Sequence, residues 1–286
     1  MNDNKDSIPL HPHGVAPAVS TDGILKHLWV SIVATITLAV IVCGIYPLVV
    51  WGLSQALFHD KANGSLITNK DGTVVASRLI GQSFSDAKYF HPRPSAAGNG
   101  YDPTSSGGSN LGPMSAKLIN GTTKPTTLPA TKPGGDPLPG PDAVDYDGIQ
   151  LRIVLYCQDN NIPLEPADML KTFQDKDGNY DQVKLVKAFN DGDHPLTVKA
   201  TKPIPADAVT SSASGLDPHI SPENAEIQAA RVAKARGISD SDMQKLIGDN
   251  TDHRDLGFLG EPGVNLITLN LALDKDHPVA PPATKP

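Results

Sequence analysis

LWVSIVATITLAVIVCGIYPLVVWGLSQALF, residues 28–58, contains no charged side chain. A helix needs about 20 apolar residues to cross the hydrocarbon core of a bilayer. The only two tryptophans, Trp29 and Trp51, stand 22 residues apart, which is about 33 Å along a helix. Indole rings favour the two membrane–water boundaries. The stretch therefore predicts a transmembrane helix, and its length without a charge argues against a buried core helix.

The N-terminal region predicts an uncleaved anchor and not a removable signal peptide. The segment before the span is long, the apolar run exceeds a signal peptide's core, and residues 55–58 make a poor cleavage site. Lys5 and Lys26 precede the span and Lys61 follows it. This weak positive bias predicts a cytoplasmic N-terminus and an extracytoplasmic main domain.

Several positions inside the span predict packing against other membrane helices. Pro47 removes one helix hydrogen bond, so the helix should kink or loosen near residues 43–44. Thr35 and Thr37, together with small glycines, permit close approach of a neighbouring helix in lipid. The residues predicted to fix or pack the span are Trp29, Gly44, Pro47, Trp51 and Gly52.

Composition excludes some classes of function. The chain has 286 residues and a formal net charge of −7, which argues against nucleic acid as a partner because phosphate binding needs a concentrated basic face. Cys43 lies in the span and Cys157 lies beyond it, so the two are not expected to form a disulfide.

The part after the span predicts a mixed α+β domain with many loops, since the chain contains 25 glycines and 26 prolines. Residues 65–76 predict a hairpin whose turn uses Asp71-Gly72. Residues 81–113 mix aromatics with Gly, Pro and Ser, which indicates an ordered surface loop of the kind that often carries recognition. Residues 121–141 are Pro-rich and predict a semi-extended, mobile segment.

Helices are predicted at 147–160 and within 166–189. The turn Asp175–Asp181 resembles the opening of a calcium-binding loop, but Tyr180 and Val186 replace the glycine and the bidentate glutamate that such a loop requires. An exposed turn between helices is therefore favoured, and no metal site is predicted.

The end of the chain carries clear helix signals. Ser221 is a natural N-cap for a helix that should run to Arg236 and stop at Gly237. Ser239 with Asp242 gives a capping-box pattern for the next helix. Residues 264–274 are apolar enough for the core, and helix and strand remain equally open there.

One stretch that could carry chemistry precedes Ser221. Ser214, Asp217 and His219 invite a hydrolase interpretation, yet the motif of a nucleophile elbow is missing. Asp217 and His219 are also expected to point apart in an extended segment. A tight, hydrogen-bonded loop that sets the entry to the helix is favoured, and an anchored extracytoplasmic hydrolase stays as the alternative.

A second stretch, residues 105–112, reads SSGGSNLG. Successive glycines and serines can present backbone N–H groups to an anion. No Lys-Ser or Lys-Thr follows, so this is not a Walker loop, and a single Gly-rich turn is weak evidence. The residues alone indicate a membrane-anchored protein with an outward recognition domain.

Four segments together resemble a known family. They are the span running into LSQALFHDKANGSLI, SRLIGQSFSDAKYFHPRPSAAGNGYDPTSSGGSNLGP, SGLDPHISPENAEIQAARVAKARG and DLGFLGEPGVNLITLNLALD. The chain resembles the C subunit of the high-affinity potassium-transporting Kdp ATPase over about residues 28–120 and 200–275.

The resemblance implies an accessory, non-catalytic subunit of an inner-membrane complex. Its partners would be a potassium-binding A subunit, an ATP-hydrolysing P-type B subunit and a small F subunit. The family is described as a catalytic chaperone that raises the ATP affinity of the B subunit. ATP and K⁺ would be handled by the complex, with no cofactor belonging to this chain.

The resemblance also implies two sets of site residues. Possible nucleotide contacts are Ser106, Gly107, Gly108, Ser109, Ser214, Gly215 and Asp217. Loops expected to dock a partner carry Tyr89, Phe90, Arg93, Pro94, Asn110, Leu111, Asp217, Pro218 and His219. Because an outward domain would be a bilayer away from cytosolic ATP, docking is favoured over nucleotide contact. A free-standing anchored binding protein is a third hypothesis.

The predicted organisation follows from these segments. It comprises a disordered cytoplasmic N-terminus (1–27), a transmembrane helix (28–58), an extracytoplasmic domain (59–120 and 200–275), a Pro-rich and helical insertion (121–199) and a disordered tail (276–286).

Overall fold

A computed structural model describes residues 23–128, 138–139 and 142–279. The chain forms two compact units, Met1–Asn63 and Gly64–Pro286. The predictions for residues 1–22 and 280–286, and for most of the Pro-rich linker, lie outside the described residues.

The first unit contains one helix from Gly23 to Leu57 that is long and apolar enough to cross a membrane. It consists of α1 (Gly23–Ala39), a π-helical segment (Val40–Ile45) and α2 (Tyr46–Leu57), and none of its side chains is buried. The short α3 (His59–Ala62) follows.

The predicted loosening near Pro47 is confirmed. The π-helical segment includes Cys43 and Gly44, and Pro47 lies in the first turn of α2. Proline has no N–H to donate to the preceding turn, and a wider turn with longer-range hydrogen bonds is one way for a helix to absorb that loss.

The second unit begins with the predicted hairpin. Strand β1 (Leu66–Thr68) pairs antiparallel with β2 (Val74–Ser77), and Gly72 supplies the positive φ of the turn at +82°. The loop that follows has one short 3₁₀ turn at Pro103–Ser105 and ends in α4 (Ala116–Asn120). This long loop makes hydrogen bonds within itself, among them one from the Tyr101 N–H to Ser95 Oγ at 2.9 Å and one from the Tyr101 hydroxyl to the Arg93 carbonyl at 2.9 Å.

Four short strands come next: β3 (Thr122–Lys124), β4 (Thr127–Leu128), β5 (Leu138–Pro139) and β6 (Ala143–Tyr146). Strand β3 pairs with β6, and β4 pairs with β5. Along the chain, the antiparallel pair β4–β5 therefore lies between the two strands of the antiparallel pair β3–β6.

The predicted helices of the middle segment are present. They are α5 (Ile149–Asp159), α6 (Ala167–Lys171) and α7 (Gln182–Phe189). Two short strands, β7 (Leu164–Glu165) and β8 (Lys199–Ala200), pair with each other. The apolar faces of the helices meet in one cluster that includes Leu151, Val154, Leu170, Leu185 and Phe189.

The turn between α6 and α7 satisfies its own polar groups. The Asp175 carboxylate accepts hydrogen bonds from the N–H groups of Asp177, at 2.8 Å, and Asn179, at 2.9 Å. These bonds lower the pKa of Asp175. The carboxylate therefore closes the turn, which is what an exposed turn between helices requires.

The C-terminal part builds a second hydrophobic cluster. Its elements are β9 (His219–Ile220), α8 (Pro222–Arg236), α9 (Asp240–Asp249), β10 (Thr251–Asp252), β11 (Gly263–Asn265) and α10 (Leu266–Asp276). The strands form an antiparallel sheet in the order β10-β11-β9. The stretch left open between helix and strand is a short strand followed by a helix.

The predicted caps of this part are confirmed. Ser221 accepts a hydrogen bond from the N–H of Asn224, and Gly237 ends α8 in the left-handed conformation. Ser239 accepts from the N–H of Asp242 at 3.2 Å and donates to its carboxylate at 2.7 Å.

Helix α8 also fastens the middle segment to the C-terminal one. The Tyr156 hydroxyl donates to Asn224 Oδ1 at 2.8 Å. Arg231 Nε donates to Asn160 Oδ1 at 3.2 Å. Both predicted parts, the domain and its insertion, belong to the second unit.

Candidate functional site

The structure brings together the two glycine- and serine-rich stretches that the sequence separates by about a hundred residues. The Gly107 N–H donates to the Ser214 carbonyl at 2.8 Å, and the Ser106 hydroxyl donates to the same oxygen at 3.0 Å. We call residues Ser106–Gly108 and Ser212–Asp217 the glycine–serine junction.

Gly215 is required at this junction by its conformation and by the space around it. Its φ is +66°, and a Cβ there would lie 2.7 Å from both the Ala97 nitrogen and the Gly107 carbonyl oxygen. The left-handed region strains residues that carry a Cβ. The Ser95 hydroxyl donates to the Gly215 carbonyl at 2.7 Å and completes the contact.

A third segment of the chain contacts the junction at Gly81. Its N–H donates to the Leu216 carbonyl at 2.8 Å. A Cβ at Gly81 would lie 2.6 Å from the Asp217 carbonyl oxygen and 2.6 Å from the Tyr101 ring. Three separate loops therefore meet at backbone-contact distance.

Three N–H groups of the junction are already used inside the protein. Gly107 donates to Ser214, Gly215 donates to Ser212 Oγ at 2.9 Å, and Leu216 donates to Ser214 Oγ at 3.1 Å. An anion cradle needs such donors free and convergent. The geometry at these residues is that of a structural lock between loops.

A cleft of about 600 Å³ opens beside the junction, with Arg93, Leu216 and Pro218 in its wall. Arg93 is the one cationic side chain among its lining residues. Its guanidinium donates to Asp217 Oδ2 at 2.9 Å. A polyphosphate would meet this carboxylate as well as the arginine, so the electrostatics of the cleft do not favour a nucleotide.

Asp217 and His219 point toward one another, so the expectation that they would point apart is wrong. The Asp217 carboxylate accepts a hydrogen bond from the His219 N–H at 3.0 Å, and the His219 Nδ1 lies 3.6 Å from Asp217 Oδ1. The segment is turned and not extended, because an aspartate can cap the backbone N–H two residues on.

A second carboxylate completes this arrangement. His219 Nε2 lies 2.9 Å from Asp252 Oδ2. The hydrogen bond to Asp217 raises the pKa of His219 against the opposing effect of burial, and Asp252 raises it further. Burial alone would raise the pKa of Asp217, but its bonds to His219 and Arg93 outweigh burial and lower it.

This geometry gives no support to a hydrolase that uses Ser214. Both imidazole nitrogens of His219 face carboxylates. The Ser214 hydroxyl instead accepts from the Leu216 N–H and lies 3.4 Å from Ser212 Oγ. A nucleophilic serine needs a base within hydrogen-bond reach, and in the part of the chain that the structure describes, Ser214 makes no hydrogen bond to a histidine.

The predicted docking residues divide into buried and accessible ones. Phe90 is fully buried in the C-terminal cluster, so its side chain is not among the accessible ones of the predicted docking loops. Its N–H and C=O are both held by Asn270, at 2.9 and 3.0 Å. Pro218 is also buried, whereas Asn110 is exposed, and Tyr89, Pro94 and Leu111 are half-buried.

Two arginines of α8 make contacts that no motif in the sequence predicts. Arg236 donates to the carbonyls of Lys88, Leu273 and His277 and to the Asp274 carboxylate, and its side chain is fully buried. Arg231 donates to the carbonyls of Ala87 and Tyr89. Such distant partners leave no local pattern in a sequence.

Among residues 23–128, 138–139 and 142–279, no cluster of three or more potential metal ligands is found. Cys43 and Cys157 are both free, as expected for cysteines in different parts of the chain.

Comparison with known proteins gives consistent matches. The family model for the K⁺-transporting ATPase c chain, KdpC, matches residues 28–144 and 177–275. The interval between them, 145–176, carries α5 and α6.

Curated relatives carry the same description, potassium-transporting ATPase KdpC subunit. The Koribacter versatilis protein is 37% identical over 257 residues, covering 90% of this chain and 98% of the relative. The Mycobacterium tuberculosis protein is 41% identical over 231 residues, covering 81% and 88%. The Geobacter sulfurreducens protein is 40% identical over 251 residues, covering 87% and 98%.

Substitution of Gly215 should destabilise the second unit. In Gly215→Ala the new methyl group meets two backbone atoms in a left-handed conformation, and we expect a loss of about 2 kcal/mol or more in unfolding free energy. Gly107→Ala is the matched control, because a Cβ there meets nothing within 4 Å. Denaturant unfolding of the full chain in detergent measures both, and equal stability of the two variants would contradict the lock.

The His219 site should make stability depend on pH. The pKa of His219 is raised above the ordinary 6.5. The charged imidazole therefore contributes its full stabilisation of the fold below pH 6.5. This contribution is lost as pH rises through the folded-state pKa. The difference in unfolding midpoint between wild type and His219→Gln should therefore shrink as pH rises above 6.5.

The control for this experiment is His253→Gln, at an exposed histidine. Asp217 does not confuse the test, because its lowered pKa keeps it ionised over the whole range. A His219→Gln difference that stays constant or grows with pH would show that the imidazolium is not held as described.

Proposed function

The chain belongs to the KdpC family, the c chains of K⁺-transporting ATPases, and from this we propose that it is an accessory, non-catalytic subunit that stabilises the pump. The observation that carries the proposal is the extent of the match. It covers most of the apolar helix and most of the second unit, at residues 28–144 and 177–275. Both parts of the chain would then serve the assembly.

The partners we propose are a potassium-binding A subunit, an ATP-hydrolysing B subunit and a small F subunit. ATP and K⁺ are handled by those subunits. The chain acts as a catalytic chaperone by raising the ATP affinity of the B subunit. Such an effect requires that the chain contact two conformations of its partners with different free energies.

The apolar helix is the proposed contact within the membrane. No side chain of Gly23–Leu57 is buried by the chain itself, and a Cβ at Gly44 or Gly52 would meet nothing within 4 Å. Small residues allow helix backbones to approach closely in lipid. The two glycines are eight residues apart, so they lie near one face of a helix.

The proposed location is the bacterial inner membrane, with the N-terminus in the cytoplasm and the main domain outside. The basic residues that flank the span support this orientation. With that orientation the chaperone effect is transmitted by contacts with partner subunits. Direct contact with ATP is not part of the proposal, because three N–H donors of the glycine–serine junction, those of Gly107, Gly215 and Leu216, are used internally.

Co-purification tests the assembly. A tagged chain extracted in mild detergent should recover a large P-type ATPase subunit. Gly44→Leu/Gly52→Leu should lower that recovery about tenfold, the effect of about 1.4 kcal/mol, without lowering the amount of inserted chain. Val42→Leu, which enlarges an already large residue of the same span, should leave recovery unchanged.

Recovery of the wild-type chain alone would sink the proposed function. Equal recovery of the ATPase by wild type and by Gly44→Leu/Gly52→Leu would keep the proposed assembly. It would show that the glycine face of the helix does not make the contact.

Cysteine labelling tests the orientation. Ala62→Cys introduces a thiol at an exposed position just after the span. A membrane-impermeant maleimide should label it from outside the inner membrane. The unsubstituted chain reports any labelling of Cys43 and Cys157, and labelling of Ala62→Cys from the cytoplasmic side alone would reverse the orientation.

A further inference from the structure

The segment Arg254–Glu261, which we call the apolar loop, exposes three large hydrophobic side chains. Leu256, Phe258 and Leu259 are 83%, 67% and 50% exposed. Isolated exposed hydrophobic residues are ordinary, but a group of them within four positions marks an interaction surface. The function proposed above assigns no role to them.

The apolar loop has a defined conformation. Asp255 and Leu259 exchange two backbone hydrogen bonds, both of 2.9 Å. Leu256 has a φ of +53°, flanked by Gly257 at +82°. A leucine in the left-handed region costs free energy and is held there only when its surroundings fix it. The loop is therefore prepared in advance, which lowers the entropic cost of binding.

Both ends of the apolar loop are anchored to the sheet. It connects β10 to β11, and Arg254 forms an ion pair with Glu261 across its base. Asp252, in β10 two residues before the loop, contacts His219 Nε2 at 2.9 Å and Arg78 Nη2 at 3.6 Å. The exposed side chains are thus supported by a hydrogen-bonded base. This base includes His219, which lies next to the glycine–serine junction.

Charge identifies the chemistry of the partner. The apolar loop carries two carboxylates, Asp255 and Glu261, and one arginine. Glu261 is paired with Arg254, so Asp255 gives the loop a net negative charge. Membrane surfaces attract basic segments and repel acidic ones, since their headgroups are anionic. Inserting the apolar loop into a lipid surface would bring its carboxylates against like charge. A protein groove with an apolar floor and a basic rim matches both the hydrophobic side chains and the carboxylates.

We propose that the apolar loop docks Leu256, Phe258 and Leu259 into an apolar, basic-rimmed groove on another subunit of the ATPase. The inference rests on the proposed assembly function and adds the surface that makes the contact. A few buried apolar anchors carry most of the energy of such an interface. The carboxylates of the apolar loop fix its orientation and raise the rate of association.

The first test is co-purification of the full chain carrying Phe258→Ser/Leu259→Ser. Both side chains are exposed in the chain itself, so its unfolding midpoint should stay unchanged while recovery of the ATPase falls about tenfold or more. Met114→Ser is the matched control, since Met114 is 90% exposed elsewhere on the same unit and should recover the complex as wild type does.

These results separate the two proposals. If wild type recovers no ATPase, the accessory function fails. If wild type and Phe258→Ser/Leu259→Ser both recover it equally, the docking surface is overturned while the accessory function stands.

A second test distinguishes a protein partner from lipid. Full-length Phe258→Cys carrying an environment-sensitive dye is reconstituted into vesicles of phosphatidylethanolamine and phosphatidylglycerol. A blue shift seen only when the labelled chain is reconstituted as part of the whole ATPase complex, and not when it is reconstituted alone, supports the proposal. A blue shift in vesicles alone, or none in either case, overturns it. The unsubstituted chain controls for dye on Cys43 or Cys157.

Discussion

The backbone hydrogen bond from Gly107 to Ser214 is the constraint on which the second unit depends. It joins two stretches that lie about a hundred residues apart in the chain. Ser106 and Ser214, which are hydrogen-bonded at the same point, are separated by 108 positions. Closing so long a loop has an entropic cost that grows slowly with length. Here that cost is offset by several contacts at once, because Gly81, Ser95 and Gly215 bring further backbone to the same point.

The junction is continuous with the charged groups beside it. Asp217 ends the junction, holds Arg93 and His219, and His219 in turn holds Asp252. Asp252 begins the segment that leads to the apolar loop. A chain of short polar contacts therefore links the crossing of the loops to the exposed hydrophobic side chains. Rigid support of this kind is what a docking element needs to bind with little loss of entropy.

The features that the sequence predicted correctly are those with a local cause. The apolar helix follows from its own composition, the π-helical segment from Pro47, the hairpin turn from Gly72 and the ends of α8 from Ser221 and Gly237. Each depends on residues within one or two turns of chain, so a pattern exists to be read.

The features that it missed depend on distant partners. Asn270 holds both backbone groups of Phe90 from 180 positions away, and the Phe90 side chain is buried in the C-terminal cluster. The two glycine–serine stretches were each considered for binding because nothing local showed that they satisfy one another. The apolar loop did leave a signal, namely large hydrophobic residues set among glycines in DLGFLGEP, and only their exposure in the fold gives it meaning.

On the proposal above, the glycine–serine junction is an internal lock, whereas the apolar loop is completed by a partner. Amide hydrogen exchange compares the full chain alone in detergent with the same chain in the purified ATPase. Amides of residues 254–261 should exchange more slowly in the complex, while those of Gly107 and Gly215 should be equally slow in both. Unchanged exchange at 254–261, with protection of Gly107 and Gly215 appearing only in the complex, would contradict this account.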